Sequence, residues 1–214
     1  TSGIALLVQQ AYRTINNGNL PDAALVKAVL INSADDLGAE GPDYSTGYGN
    51  VNAYKAVNSI LQQRFFSGSS STGTTEQFQI TVPPSSRKLS LTICWSDPPA
   101  AANAARALIN DLDLQLENIT TLQSWQPWVL SSFPHRDSLL LPARRTRDSL
   151  NNVEKITINE PAPGNYRVSV HGLNIPSGPQ SWYLGWQIDT ADQFNWHYPT
   201  ASDHLLASER NMIR

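Results

Sequence analysis

The chain has 214 residues, 40% hydrophobic and 15% charged, with a formal net charge of −3. That length suits one large or two small globular domains. The weak, dispersed charge gives no electrostatic basis for binding nucleic acid or an anionic membrane, and no apolar run approaches the ~18 residues that a membrane-spanning helix needs. The chain opens Thr1-Ser2-Gly3 with no initiator Met, which reads as a cut or processed start.

In chain order, residues 1–66 read as helices. Ile4, Leu7, Val8, Ala11, Tyr12 and Ile15 recur at helical spacing, and Asn16-Asn17-Gly18-Asn19 is a stop. Pro21 and Asp22 suit a first helical turn, opening a second helix that is apolar on nearly every side and runs up to Gly38. A glycine-rich loop, Gly41 to Gly49, leads to a third helix capped by Asn52, its apolar face Ala53, Ala56, Val57, Ile60 and Leu61. Residues 67–75, all Ser, Gly and Thr, read as a flexible linker and a domain boundary.

After it the period changes to two. Phe78, Ile80 and Val82 alternate, as do Leu89 to Trp95, Leu112 to Leu116, Tyr166 to Val170, and Trp182 to Ile188. Proline- and glycine-rich turns separate these runs, which argues for an antiparallel sandwich or jelly roll over 76–190. The lone cysteine, Cys94, excludes an internal disulfide and reads as a small buried strand residue. Residues 191–214 are polar with scattered apolar positions, and read as a linker or the start of a further domain.

Three segments of the helical half carry a resemblance. Thr1-Ser2-Gly3-Ile4-Ala5-Leu6-Leu7 resembles the continuation of the nucleophile helix of subtilisin-like serine proteases. Leu25-Val26-Lys27-Ala28-Val29-Leu30-Ile31-Asn32-Ser33-Ala34 is similar to their next helix, and Gly47-Tyr48-Gly49-Asn50-Val51-Asn52-Ala53-Tyr54-Lys55-Ala56-Val57 to the entry into their last one. In the second half Trp95-Ser96-Asp97-Pro98, Asn110-Asp111-Leu112-Asp113-Leu114, Asn151-Asn152-Val153-Glu154 and Gly164-Asn165-Tyr166-Arg167-Val168-Ser169-Val170 resemble the C-terminal, P-domain-like jelly roll of secreted bacterial subtilases.

The resemblance implies an α + β chain: the helical remnant of a subtilisin-type α/β domain over 1–66, then a β-sandwich or jelly roll. It implies the C-terminal part of a secreted serine endopeptidase acting on protein or peptide substrates. The Asp, His and Ser of the triad, and the oxyanion-hole Asn, are then expected upstream of Thr1. Ser2 is not the nucleophile, because the family's motif needs Ala two residues after the Ser and Pro four after, where Ile4 and Leu6 stand. None of His135, His171, His197 and His204 has a triad context. No catalytic residue is therefore expected in this chain, and it is expected to be inactive alone. The apolar faces of residues 1–66 call for a cover, either the upstream catalytic segment or a second copy. Two alternatives stand beside this reading: a non-catalytic carbohydrate-binding or adhesion sandwich, and a pseudoprotease whose upstream part never held a triad.

Asp111 and Asp113 lie two apart on a strand whose other side is leucine, so both carboxylates point the same way. Such a pair calls for a cation or donors between its members. Ca²⁺ suits oxygen ligands, with Asp97, Asn110 and Asn152 as co-ligands, and the resemblance implies calcium too; the other reading is that these groups cap turns or bond a nearby loop. Trp125 and Trp128 form either a sugar or peptide platform or a plug at one end of the sandwich. Asn118-Ile119-Thr120 matches a glycosylation sequon. Arg144-Arg145-Thr146-Arg147 reads as a solvated or cleavable loop.

Overall fold

In the computed structural model, which describes residues 1–190, the helical periodicity of the first third closes into α1 (Ser2–Ile15), α2 (Ala23–Asn32) and α3 (Ala53–Leu61). The Asp22 carboxylate caps α2 by accepting from Ala24 N, and the Asn52 side chain caps α3 by accepting from Lys55 N. The second helix ends at Asn32 rather than at Gly38. Beyond it, Asp35 and Asn50 exchange two backbone hydrogen bonds at 2.8 Å, an extended pairing that a continued helix would forbid. The segment 191–214, expected to be a linker or the start of a further domain, lies outside the described residues.

Ten strands follow: β1 (Phe65–Ser70), β2 (Thr75–Val82), β3 (Ser86–Trp95), β4 (Asp111–Asn118), β5 (Ser124–Trp125), β6 (Trp128–Val129), β7 (Arg144–Arg145), β8 (Val153–Asn159), β9 (Gly164–Asn174) and β10 (Gln180–Thr190), with a one-turn helix, α4 (Arg136–Leu139), between β6 and β7. They form two four-stranded antiparallel sheets, β1-β10-β3-β8 and β2-β9-β4-β5, plus the small β6-β7 ribbon. The period-two residues fill the space between the sheets: Ile80, Val82, Leu89, Leu91, Ile93, Leu112, Leu114, Leu116, Tyr166, Val168, Val170, Trp182 and Leu184 are one buried cluster. The two large indoles in it are satisfied, Trp95 Nε1 donating to Asn110 O at 3.0 Å and Trp182 Nε1 to Ser70 Oγ at 3.0 Å, as buried donors require.

Residues 67–75 are not a linker. β1 pairs with β10 from Phe65↔Gly185 to Ser70↔Gln180, and the turn into β2 is tied by Ser71 N donating to Thr74 Oγ1 at 3.0 Å and Gly73 N to Gly172 O at 2.7 Å. Gly68 is there for space, since a Cβ on it would collide with the Trp182 ring and the Glu76 carboxylate. The hydroxyls that mark a linker by composition are here the partners of buried donors: Ser70 takes the Trp182 indole and Thr72 Oγ1 takes Ile175 N at 2.8 Å.

Residues 1–66 find part of their cover within the chain. α2 lies across the outer face of β10 and β3, where Ala24 and Ala28 pack on Cys94 and Val153, and Val29 lies over Gly185, where an added Cβ would stand in ordinary contact, 3.4 Å from its side chain. α1 and α3 close the layer through Val8, Ala11, Leu25, Val29, Ala56 and Ile60. Cys94 is fully buried here, and burial pushes its thiol up to about 12, which makes it an inert packing residue. Lys55 ties the layer to the sheet, reaching Asp35 at 2.8 Å and Asp189 at 2.7 Å.

Lys155 of β8 is the costly member of this interface. It is 6% exposed, its Nζ donates to Ile31 O at 2.8 Å, and burial lowers its ammonium to about 8. The unfolded chain holds that proton to about 10.5. Between these values the unfolded state binds more protons, so this group's contribution to stability rises with pH. Lys155→Met should therefore look best near pH 7. Relative to it, the parent chain should gain about 3 kcal/mol as the pH climbs from 8 to 10.5, measured by urea unfolding at a series of pH values. A pH-independent difference would show that the buried ammonium is not perturbed.

Candidate functional site

The register of β4 sets the geometry of the acidic cluster. Leu112, Leu114 and Leu116 face the core, so Asp111 and Asp113 share the other side, near a loop that carries Arg147. Arg147 bridges them, 3.5 Å from Asp111 Oδ2 and 3.4 Å from Asp113 Oδ1, while Arg106 reaches Asp111 Oδ2 at 2.9 Å. The Arg147–Asp113 contact is an ion pair without hydrogen-bond geometry, so Asp113 Oδ1 stays buried with no hydrogen-bond partner among the described residues, as does Asp111 Oδ1. Burial raises the Asp113 carboxyl; Arg147 pulls it down and Asp111 pushes it further up.

Behind these two stands Glu154 of β8, 1% exposed. It alternates with Ile156 and Ile158, which belong to the core, so its carboxyl enters the interior at the rim where the two sheets meet. One oxygen accepts Leu114 N at 2.6 Å and the other has no partner among the described residues. Burial drives its carboxyl well above the ordinary range. The Leu114 amide offsets part of this, and Asp113, Asp148 and Asp111 add to the rise. Asp148 itself is buried and occupied, accepting Leu150 N at 2.8 Å and Asn151 N at 3.1 Å.

The five expected calcium ligands do not form one shell. Asp97 spends both oxygens on Ile109 N and Asn110 N, each at 2.8 Å. Asn152 donates to Trp95 O at 2.8 Å and accepts from Lys27 at 3.4 Å. Asn110 is wholly buried, binding Ser177 and Gln180 across the end of the sandwich. Of the set, only Asp111 and Asp113 come together, and what lies between them is a guanidinium. Among the described residues no three of His, Cys, Asp and Glu converge to hold a metal ion. Arg147, Glu154 and Asp148 escaped the sequence reading, because strand periodicity carries no sign that residues so far apart in the chain meet.

The other candidates resolve in the same way. Ser2 begins α1, exposed. His171 Nδ1 is hydrogen-bonded to Thr75 Oγ1 at 2.9 Å, and His135 Nδ1 accepts Asp137 N at 3.3 Å; neither is bonded to Ser2 among the described residues. His197 and His204 lie outside them. Trp125 packs on Tyr166 with centroids 5.9 Å apart, and Trp128 lies under the Arg145 guanidinium at 3.6 Å, its Nε1 donating to Thr157 Oγ1 at 2.8 Å. These rings plug the fold rather than offer a platform. The arginine cluster is not a loose loop either, since Arg145 and Arg147 are both engaged. Asn118 is 2% exposed and caps Thr120 N and Thr121 N, which leaves no room for a glycan.

No family model matches the chain. It is 29% identical over 199 residues to the serine protease/ABC transporter B family protein tagA of Dictyostelium discoideum, covering 83% of this chain and 11% of that protein. It is 34% identical over 107 residues to tagB of the same organism, covering 49% of this chain and 5% of the relative. The chain thus spans about a tenth or less of the length of these relatives. Among solved structures, the pre-peptidase C-terminal domain of Bacillus anthracis collagenase aligns with 57% of this chain and 87% of its own at 13% identity, with a TM-score of 0.31, too distant to bear on function.

Glu154 makes the site testable. The unfolded chain loses this proton near 4.5 while the native state keeps it well above. The native state then binds more protons between the two values, so the group's contribution to stability falls as the pH rises through them. Glu154→Gln, which stays neutral and keeps an oxygen for Leu114 N, should melt higher than the parent chain at about pH 8, the gap closing near pH 4. A gap of equal size at both pH values would mean that Glu154 is not held protonated.

Proposed function

We propose that the chain is the C-terminal portion of a secreted subtilisin-like serine endopeptidase: the last helices of the catalytic domain, and a β-sandwich that stabilises it or touches its protein or peptide substrates. The observation that carries this reading is the 83% of the chain matched to a relative named as a serine protease, a stretch longer than the strand half alone, so helices and sandwich go together. In the subtilisin-type reading, α1 is the back of the nucleophile helix. Its free side supports that. Leu6 is 66% exposed, Leu7 48% and Leu20 65%, and Leu6 and Leu20 border a groove of about 390 Å³ with Gln10 and Arg13. A helix exposing such residues is incomplete until something covers it, and the upstream catalytic segment is the cover that this reading supplies.

On this reading the Ser, His and Asp that attack the scissile carbonyl, and the donors that hold the tetrahedral oxyanion, belong to the upstream part. This chain positions them through the packing of α1 on α2 and α3. A fluorophosphonate probe should label the longer parent protein on a serine upstream of Thr1 and leave the isolated 214-residue chain unlabelled. In the parent, Leu6→Asp with Leu7→Asp should cost at least tenfold in labelling rate, while the melting temperature of the isolated chain, where both side chains already face water, hardly moves. A parent that the probe never labels would remove the protease reading. Full labelling of the double variant would remove the assignment of α1 alone.

A further inference from the structure

The outer face of the β2-β9-β4-β5 sheet carries a cleft that the protease reading does not use. Its floor is two rows of side chains crossing three strands in register: Thr75–His171–Asp113, and Gln77–Ser169–Gln115, about 7 Å apart. Gln126 and Pro127, which follow β5, and Arg147 from the loop before β8 raise its walls, enclosing about 330 Å³. None of the lining residues is Phe, Tyr or Trp.

The chemistry of the floor selects its ligand. Asp113 faces Arg147 at 3.4 Å, so a free anion would meet the carboxylate and a free cation the guanidinium. A peptide anchored by its side chains needs a pocket shaped by apolar side chains, and here the aliphatic lining is Pro127 and Leu114, the latter packed into the core. What remains is a neutral ligand dense in hydrogen-bonding groups. Gln, Ser, Thr and His each combine donor and acceptor, which is also what a sugar hydroxyl does, and the Asp113–Arg147 pair sets an acceptor and a donor side by side for two adjacent hydroxyls. The groups are partly pre-ordered: Thr75 is tied to His171 at 2.9 Å, Gln77 to Ser169 at 3.5 Å, and all of them stand on rigid strands. The volume lies at the small end of ligand pockets. We infer that this cleft is a glycan-binding subsite for one or two neutral sugar units. It stands apart from the protease reading and is tested without the upstream segment.

The test is an amide chemical-shift titration of the full 214-residue chain with cellobiose, maltose, lactose and diacetylchitobiose, each to millimolar concentration. At least one should give saturable shifts confined to 75–77, 113–115 and 169–171. Gln115→Ala and Gln77→Ala should each weaken that binding at least tenfold, while Gln79→Ala, on the same outer side of β2 but away from the cleft, leaves it unchanged. All three side chains are exposed, so their loss does not threaten the fold. No saturable shift with any of the four sugars would overturn the inference. So would shifts that survive both cleft variants, or shifts of the same amides by unstructured casein peptides when no sugar produces them.

Discussion

The sheet containing β10 and β3 is buried on both faces, and the rest of the molecule is arranged around that fact. One face meets the second sheet through Leu91, Ile93, Trp182 and Leu184; the other meets α2 through Thr92, Cys94 and Gly185. A helix can lie this close only over small residues, and the contact uses Ala24 and Ala28 against Cys94, and Val29 against Gly185. A side chain bulkier than a methyl at 185 would press on α2, and with it α1 and α3, whose apolar contacts run through Leu25 and Val29. At about 25 cal/mol per Å² of apolar surface, lifting the layer would forfeit several kcal/mol, a large part of an ordinary domain's stability. The helical layer and the sandwich are therefore energetically one unit.

β8 shows what the double burial costs. Its neighbours Glu154 and Lys155 point to opposite faces, the first into the rim of the sandwich core and the second under the helical layer. Each meets a backbone group, Leu114 N and Ile31 O respectively, and neither has an opposite charge as a hydrogen-bonded partner. Burial moves both toward neutrality, the acid upward and the base downward. Glu154 serves as a long hydrogen-bonding arm for Leu114 N, which lies on β4 before its pairing with β5 begins at Leu116, while Lys155 adds a donor to an Ile31 O that also accepts Ala34 N at 3.4 Å.

What the sequence disclosed follows the same physics. Strands with one face in the core and one in water alternate, so β2, β4 and β9 could be read from Phe78, Leu112 and Tyr166 and the residues two apart from them; β3 and β10, covered by α2 on the other face, still alternate through Leu89 to Trp95 and Trp182 to Ile188. β8 is buried on both faces yet carries Glu, Lys and Thr; its alternation is confined to Ile156 and Ile158, too short a run, and it escaped. β1 was hidden by its Ser and Gly residues, which look like linker until the Trp182 ring lies on Gly68. At the acidic cluster the shared side of Asp111 and Asp113 was legible from spacing alone. Its partner was not: the guanidinium of Arg147 stands where calcium was expected, and only the folded chain brings the two segments together.

The two outer faces of the sandwich have diverged in consequence. The outer face of β10-β3 carries small and apolar residues because α2 must sit on it. The outer face of β2-β9-β4 carries Gln77, Gln115, Ser169 and His171, which pack against no helix among the described residues. A solvated strand face needs nothing more specific than long charged side chains to stay soluble, and this one does carry Arg167 and Glu117, paired at 3.1 Å, farther along the sheet. Toward Thr75 and Asp113 such residues give way to amides and hydroxyls walled by Arg147 and Pro127. Solubility alone does not require that change along a single face, whereas recognition of a neutral, hydroxyl-rich ligand does.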